Sequence, residues 1–149
     1  MVSGQGKSKA CFATLAERKT RFYIAVKMPD RRAETMENAI VAALSAFPPQ
    51  LVKTITCDRG TEFANWRRIE ERLHCEVYFA DPYCAWQKGT NENLNGLLRE
   101  FYPKGRNLPR VAPATLKRNL ALLNARPRKV LNFLSARKLW DFELNSCCT

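Results

Sequence analysis

Three acids stand where a basic chain has little reason to place them. Asp58 follows the run LVKTITC, Asp81 follows CEVYFA, and Glu92 lies between two asparagines in WQKGTNENLNGLLREF. Two or three carboxylates can hold Mg²⁺ through oxygen ligands while the ion keeps open positions for water and phosphate oxygens. Two such ions about 4 Å apart activate an attacking oxygen and stabilise a leaving one in phosphoryl transfer. Carboxylates alone would repel a nucleic acid, and a bound cation reverses that sign. Acids at strand ends and helix starts also serve as caps and solvated charges, and the spacing alone does not choose between the two.

The elements around these acids follow from periodicity. At 100° per residue, Leu94, Leu97, Leu98 and Phe101 share one helical stripe that must face a core, while Lys88, Glu92, Asn95 and Arg99 project from the other side. A loop with Gly89 leads into that helix. Residues 10–29 alternate apolar and polar, which predicts a hairpin turning at 17–20. Residues 30–47 switch to helical spacing and stop at Pro48 and Pro49. Residues 51–57 read as a buried strand, 64–73 as a helix and 75–80 as a further strand. After Gly105, ATLKRNLALLNARPRKVLNFL is helical with a basic break at Arg126, Pro127, Arg128 and Lys129. The order hairpin, helix, strand, helix, strand, helix, helix predicts an α/β domain, a mixed sheet flanked by helices. In open sheets of that class ligand chemistry gathers at the C-terminal ends of strands, where Asp58 and Asp81 fall. The expected organisation is one domain, with a core over 1–104 and a helical extension of the same core over 105–149.

Charge narrows the partners. The 149 residues carry 25 Lys and Arg against 14 Asp and Glu, a formal charge of +11. Hydrophobic residues make up 46% of the chain, enough to fold, so the excess charge belongs on a surface that favours a polyanion, nucleic acid before an anionic membrane. No apolar run approaches the roughly 20 residues of a membrane span, and MVSGQGKSKA has no signal-peptide core. The expectation is a soluble cytoplasmic protein. Six cysteines without C-x-x-C spacing, and His74 as the single histidine, give no zinc pattern and predict reduced, buried thiols. His74 itself reads as a helix-end residue.

Longer stretches carry a resemblance. KTITCDRGTEF (53–63), VYFADPYCAWQKGTNENLNGLLREFYPKG (77–105), LNARPRKVLNF (123–133) and TLAERKTRF (14–22) together resemble the catalytic core of bacterial transposases of the IS-thirty family. That family belongs to the retroviral-integrase-like group with a ribonuclease-H-like fold. The resemblance implies a D-D-E triad binding Mg²⁺ or Mn²⁺, with its second acid on Asp58 and its glutamate on Glu92. Asp81 would support the site without joining the triad. The triad's first aspartate has no counterpart, since the chain begins where the strand carrying it is ending, and Glu17 belongs to the following hairpin. A helix-turn-helix region is likewise without a counterpart, and Ser135-Ala136 stands where the family usually has Thr-Pro.

The implied activity is DNA strand cleavage and transfer by metal-dependent phosphoryl transfer, in an N-terminally shortened chain whose activity is weak or absent. Lys88, Asn91, Asn95 and Arg99 would line the DNA path. Arg126, Arg128 and Lys129 would form a second phosphate-binding patch, and Trp86 would stack or wedge against DNA. Transposon ends, target DNA, a second copy or an intact transposase are the implied partners, in the bacterial cytoplasm near the nucleoid. Two other readings use the same residues: a non-catalytic DNA-binding or dimerising remnant, and a ribonuclease acting on RNA–DNA hybrids.

Overall fold

Alternation in the first forty residues sorts side chains between two helical layers. In the computed structural model, which describes residues 2–3, 9–81, 89–105 and 107–147, β2 (Cys11–Ala16) pairs antiparallel with β3 (Tyr23–Met28), from Cys11 opposite Met28 to Ala16 opposite Tyr23. A two-residue β1 (Val2–Ser3) pairs antiparallel with Phe12 and Cys11 of β2. Because successive side chains on a strand point to opposite faces, Cys11, Ala13, Val26 and Met28 enter one apolar cluster, and Phe12, Tyr23 and Ala25 enter another.

The first cluster lies under α1 (Ala33–Leu44) and α2 (Trp66–Leu73), with Met36, Ile40 and Ile69 among its buried members. Asp30 starts α1: its Oδ1 accepts the Arg32 N–H at 3.0 Å and the Thr35 hydroxyl at 2.7 Å. The hydrogen bond from Thr35 comes first among the causes that hold its carboxyl below the usual range. Helix α2 links β4 (Thr54–Cys57) to β5 (Glu76–Phe79), which run parallel in a separate two-stranded sheet. His74 caps α2 in the left-handed region, at φ 51°, as its position in the sequence suggested.

The second cluster lies under α3 (Gly89–Phe101) and α4 (Pro113–Ala125), whose Leu94, Leu98, Leu116 and Leu123 are buried against Phe12 and Tyr23. Phe12 meets Tyr102 edge-on at 5.1 Å. α5 (Ala136–Cys147) then packs Trp140 against Phe22, stacked at 5.2 Å, and against Phe47 edge-on at 5.1 Å.

Several expectations shift in detail. Residues 49–51 form a 3-10 turn and β4 starts at Thr54, with Thr54 and Thr56 exposed, so the strand is buried on one face only. Gly89 is the first residue of α3 rather than part of a loop. α5 was not evident from the pattern of apolar residues. Cys11, Cys57 and Cys75 are buried and Cys147 is exposed; Cys84 and Cys148 lie outside the described residues. Among the described residues no helix is long and apolar enough to cross a membrane.

Candidate active site

Asp58 directly follows β4, and α3 begins three residues before Glu92; the end of β4 and the start of α3 both border one cleft. The cleft encloses about 400 Å³ between β2 and β4 and is lined by Thr14, Thr56, Asp58, Thr90 and Asn91. Asp58 and Glu92 are both exposed. Glu92 stands in the first turn of α3, where the helix dipole favours a negative charge.

Three contacts set the start of α3 against the hairpin. The Thr14 hydroxyl of β2 donates to Asn91 Oδ1 at 3.4 Å. Arg21, in the hairpin turn, donates through Nη1 to the Thr90 hydroxyl. The Tyr23 hydroxyl of β3 donates to Asn95 Oδ1 at 2.7 Å. Burial pushes the Tyr23 phenol above its ordinary range, against the opposing effects of Thr14 and Arg99, so it stays a neutral donor to Asn95.

The turn is itself anchored by a carboxylate. Glu17 accepts the N–H groups of Lys19 at 2.9 Å and Thr20 at 2.5 Å, and the Thr20 hydroxyl at 2.6 Å. Burial works against its charge, but these hydrogen bonds, led by the Thr20 hydroxyl, outweigh it and hold the carboxyl below the usual range. Glu17 also lines the cleft, but its carboxylate is engaged by the hairpin turn.

The remaining candidates separate. Asn95 is half-buried and turned to Tyr23, while Arg99 is exposed on the same helix. Asp81 is exposed just beyond β5. Arg126 is exposed, pairs with Glu100 at 2.8 Å and lies over the Phe101 ring at 5.7 Å. Lys129 is exposed at the start of a 3-10 turn. Arg128 is half-buried, donating through Nη2 to the Leu123 carbonyl at 3.1 Å. Lys88 and Trp86 lie outside the described residues. Arg21 was not among the sequence candidates; its left-handed backbone, φ 62°, and its contact with Thr90 are properties of the folded chain.

As a donor set, Asp58 and Glu92 offer the hard oxygens Mg²⁺ prefers, and Mg²⁺ is commonly held by one or two carboxylates with phosphate and water completing its shell. An all-protein cage is a different arrangement: among the described residues no group of three or more His, Cys, Asp or Glu is placed to hold an ion. The residues thus fit a metal bound jointly with a phosphate-bearing substrate.

Comparison with known proteins gives these positions a context. A family model described as Integrase core domain matches residues 1–85. The chain is 36% identical over 141 residues to a probable transposase for insertion-like sequence element IS1161 of Streptococcus salivarius, covering 95% of this chain and 40% of that protein. It is 37% identical over 139 residues to transposase InsI for insertion sequence element IS30A of Escherichia coli (strain K12), covering 93% of this chain and 36% of that protein. The chain thus spans about two fifths of the length of these relatives. The catalytic core domain of BIV integrase superposes with a TM-score of 0.67 at 14% identity, covering 97% of this chain and 100% of that one. A chain of a simian T-cell lymphotropic virus intasome, solved with PP2A regulatory subunit B56 gamma, matches with a TM-score of 0.57 at 13% identity, covering 83% of this chain and 51% of that one. At such identities the likeness is one of fold, the ribonuclease-H-like integrase core.

Proposed function

The chain belongs to the integrase core domain family, and on that premise we propose that it is part of the catalytic core of a DDE transposase, acting on transposon ends and target DNA. The observation that carries this reading is the cleft lined by Asp58, just after β4, and by Thr90 and Asn91 at the start of α3, the two residues that precede Glu92. Both acids would hold Mg²⁺ or Mn²⁺; such an ion, when bound, supplies charge neutralisation to a phosphodiester under attack. The chain's own residues orient the site. Thr14, Arg21 and Tyr23 fix the first turns of α3, and with them the position of Glu92. Lys88, Asn91, Asn95 and Arg99 along α3 and its approach, with Trp86, would follow the DNA, and Asp81 would support the end of β5. Bacterial cytoplasm, assembly with a second copy and contact with an intact transposase belong to the same reading.

Two acids of a triad are matched by Asp58 and Glu92, and we expect the 149-residue chain alone to transfer strands weakly or not at all. Calorimetric titration of Mn²⁺ in the presence of a short duplex tests the pair. Asp58→Asn and Glu92→Gln should each weaken metal binding at least about tenfold, and unchanged binding in both would remove the pair as the metal site. Efficient strand transfer by the parent chain on an inverted-repeat duplex would overturn the expected impairment.

A further inference from the structure

Between α4 and α5 the chain closes a tight loop whose tip carries an aromatic ring into solvent. Asn124, buried near the end of α4, clasps the Tyr23 backbone, receiving its N–H at Oδ1 (3.0 Å) and donating through Nδ2 to its carbonyl (2.8 Å), which fixes the point from which the loop leaves. Pro127 and Ser135 then pair as an antiparallel bridge across the neck. Inside it, the Arg128 N–H donates to the Leu134 carbonyl at 3.1 Å, and the Arg128 carbonyl accepts the N–H groups of Leu131 at 2.9 Å and Phe133 at 3.0 Å. Leu131 is buried and Arg128 Nη2 is held by the Leu123 carbonyl, so the loop is pinned to the body of the fold. Asn132 and Phe133 both take left-handed backbone, at φ 52° and 61°. Non-glycine residues adopt that region at a cost, and such strain persists where the surrounding structure fixes it and function uses it. Its result here is a Phe133 ring that is 71% exposed, with Val130 exposed beside it in the same loop.

Charge decides what that ring meets. From Arg126 to Trp140 the chain carries Arg126, Arg128, Lys129, Arg137 and Lys138 and no acid. The bridge at the neck draws the two basic flanks together, with Lys129 exposed on one side and Arg137 and Lys138 exposed at the start of α5 on the other. Glu100 pairs with Arg126 and Asp141 with Arg137; among the described residues neither Lys129 nor Lys138 has a carboxylate partner. Phe142 makes the contrast on α5 itself: it is 68% exposed, but it stands between Asp141 and Glu143. Two phenylalanines are thus equally bare, and one lies among cations. An aromatic face flanked by ammonium groups suits a nucleic acid strand, whose bases stack on the ring while its phosphates meet the charges. A surface for a second copy of the chain would carry few lysines, which are depleted at protein interfaces.

We propose that Phe133 stacks on an unpaired base of DNA while Lys129 and Lys138 hold the phosphates on either side of it. The site rests on the transposase reading for its ligand, and it gives that reading a residue sensitive to whether a base is paired. Because α5 starts at the neck of the loop and carries Trp140 into the wall of the cleft that Asp58 lines, one helix joins the stacked base to the candidate active site.

The test measures fluorescence anisotropy of the 149-residue chain with two labelled DNAs, a blunt duplex and the same duplex with a short unpaired overhang. The parent should prefer the overhang. Phe133→Ala and Phe133→Leu should each weaken overhang binding roughly tenfold and change blunt binding less than about twofold, whereas Phe133→Trp should keep the preference. Lys129→Gln and Lys138→Gln should weaken binding to both DNAs and each lower the salt slope by about 1, which Phe133→Ala leaves unchanged. Phe142→Ala should bind both as the parent does. Urea titration checks each variant's fold, and where Phe133→Ala does not fold, Phe133→Leu, which keeps a bulky apolar side chain without an aromatic face, is read in its place.

Equal losses on the two DNAs, a Phe133→Leu variant that binds as the parent does, or a loss from Phe142→Ala as large as from Phe133→Ala would overturn the stacking. So would a parent dimer in sedimentation that Phe133→Ala dissociates, since the ring would then serve a second copy. If the parent binds DNA and the Phe133 variants match it, the base contact alone falls. If the parent binds neither DNA, the DNA-contacting part of the transposase reading falls and the stacking with it.

Discussion

Replacing Glu37 with Gln should cost the fold about 2–3 kcal/mol, a cost that should vanish in acid. Glu37 lies on α1 with a side chain 1% exposed. It accepts Asn65 Nδ2 at 2.9 Å and Arg72 Nη1 at 3.0 Å, and pairs with Arg68 Nε at 3.3 Å. These partners lie in and just before α2, so one carboxylate joins the two helices over the first apolar cluster. Hydrogen bonds to a charged group contribute about 1.5–3 kcal/mol each, and losing one partner of a fully buried pair costs about 3–5 kcal/mol. Glutamine keeps the volume and one acceptor oxygen but turns an amide toward a donor. Arg68 and Arg72, 65% and 43% exposed, regain water, which places the loss near the lower figures. For a chain of this length that corresponds to about 4–12 °C in Tm.

The pH dependence has a definite sign. Burial opposes ionisation of Glu37, but hydrogen bonds from Arg72 and Asn65 and the charges of Arg68 and Arg72 prevail and hold its carboxyl below the ordinary range. A group with a depressed folded pKa contributes stability that is full above the unfolded value, about 4.3 for glutamate, and is lost as pH falls through the folded value. Urea denaturation followed by circular dichroism at pH 7, and again at successively lower pH below about 4.3, measures the gap between parent and Glu37→Gln. It should be constant near neutrality and close in acid. Equal stability at pH 7, or a gap that persists unchanged once the carboxyl is protonated, would refute a charge-based link between α1 and α2.

Two further substitutions move stability in opposite directions. Asn124→Ala removes both hydrogen bonds to the Tyr23 backbone and leaves a buried N–H and C=O without partners, which should cost about 2–4 kcal/mol by urea titration; a loss under 1 kcal/mol would show that other groups satisfy that strand. Phe133 is 71% exposed and sits at φ 61°, so Phe133→Gly should stabilise the chain by about 1 kcal/mol, and a lowered Tm would show that the ring contributes more than its exposure suggests.

How much of this was legible depended on the range over which each signal acts. The α1 stripe of Met36, Ala39 and Ile40, and the alternation through β2 and β3, are local, and they placed those elements well. α5 escaped because Ala136 and Trp140 are its only buried residues, too few to draw a helical period. Residues 51–57 read as a buried strand because LVKTITC is β-branched and apolar in part, yet Leu51 closes a 3-10 turn and Thr54 and Thr56 of β4 are exposed. For the site, spacing placed Asp58 at a strand end and Glu92 near a helix start, but only the wider resemblance joined them. The cleft that Asp58 shares with Thr90 and Asn91 depends on how α3 packs on β2. Arg21 and the exposed ring of Phe133 were invisible because no sequence pattern reports a left-handed residue.

The clasp between Tyr23 and Asn124 also orders events on the ribosome. Its two ends lie 101 residues apart, and at about 5–20 residues per second the second emerges roughly 5–20 s after the first. Through that interval the hairpin can form, but Phe12, Tyr23 and Ala25 face water until α3 and α4 arrive to cover them. The nascent chain therefore shows an uncovered β surface through that interval, and a pause in translation between the two segments would lengthen the time in which a chaperone, or another nascent chain, can reach it.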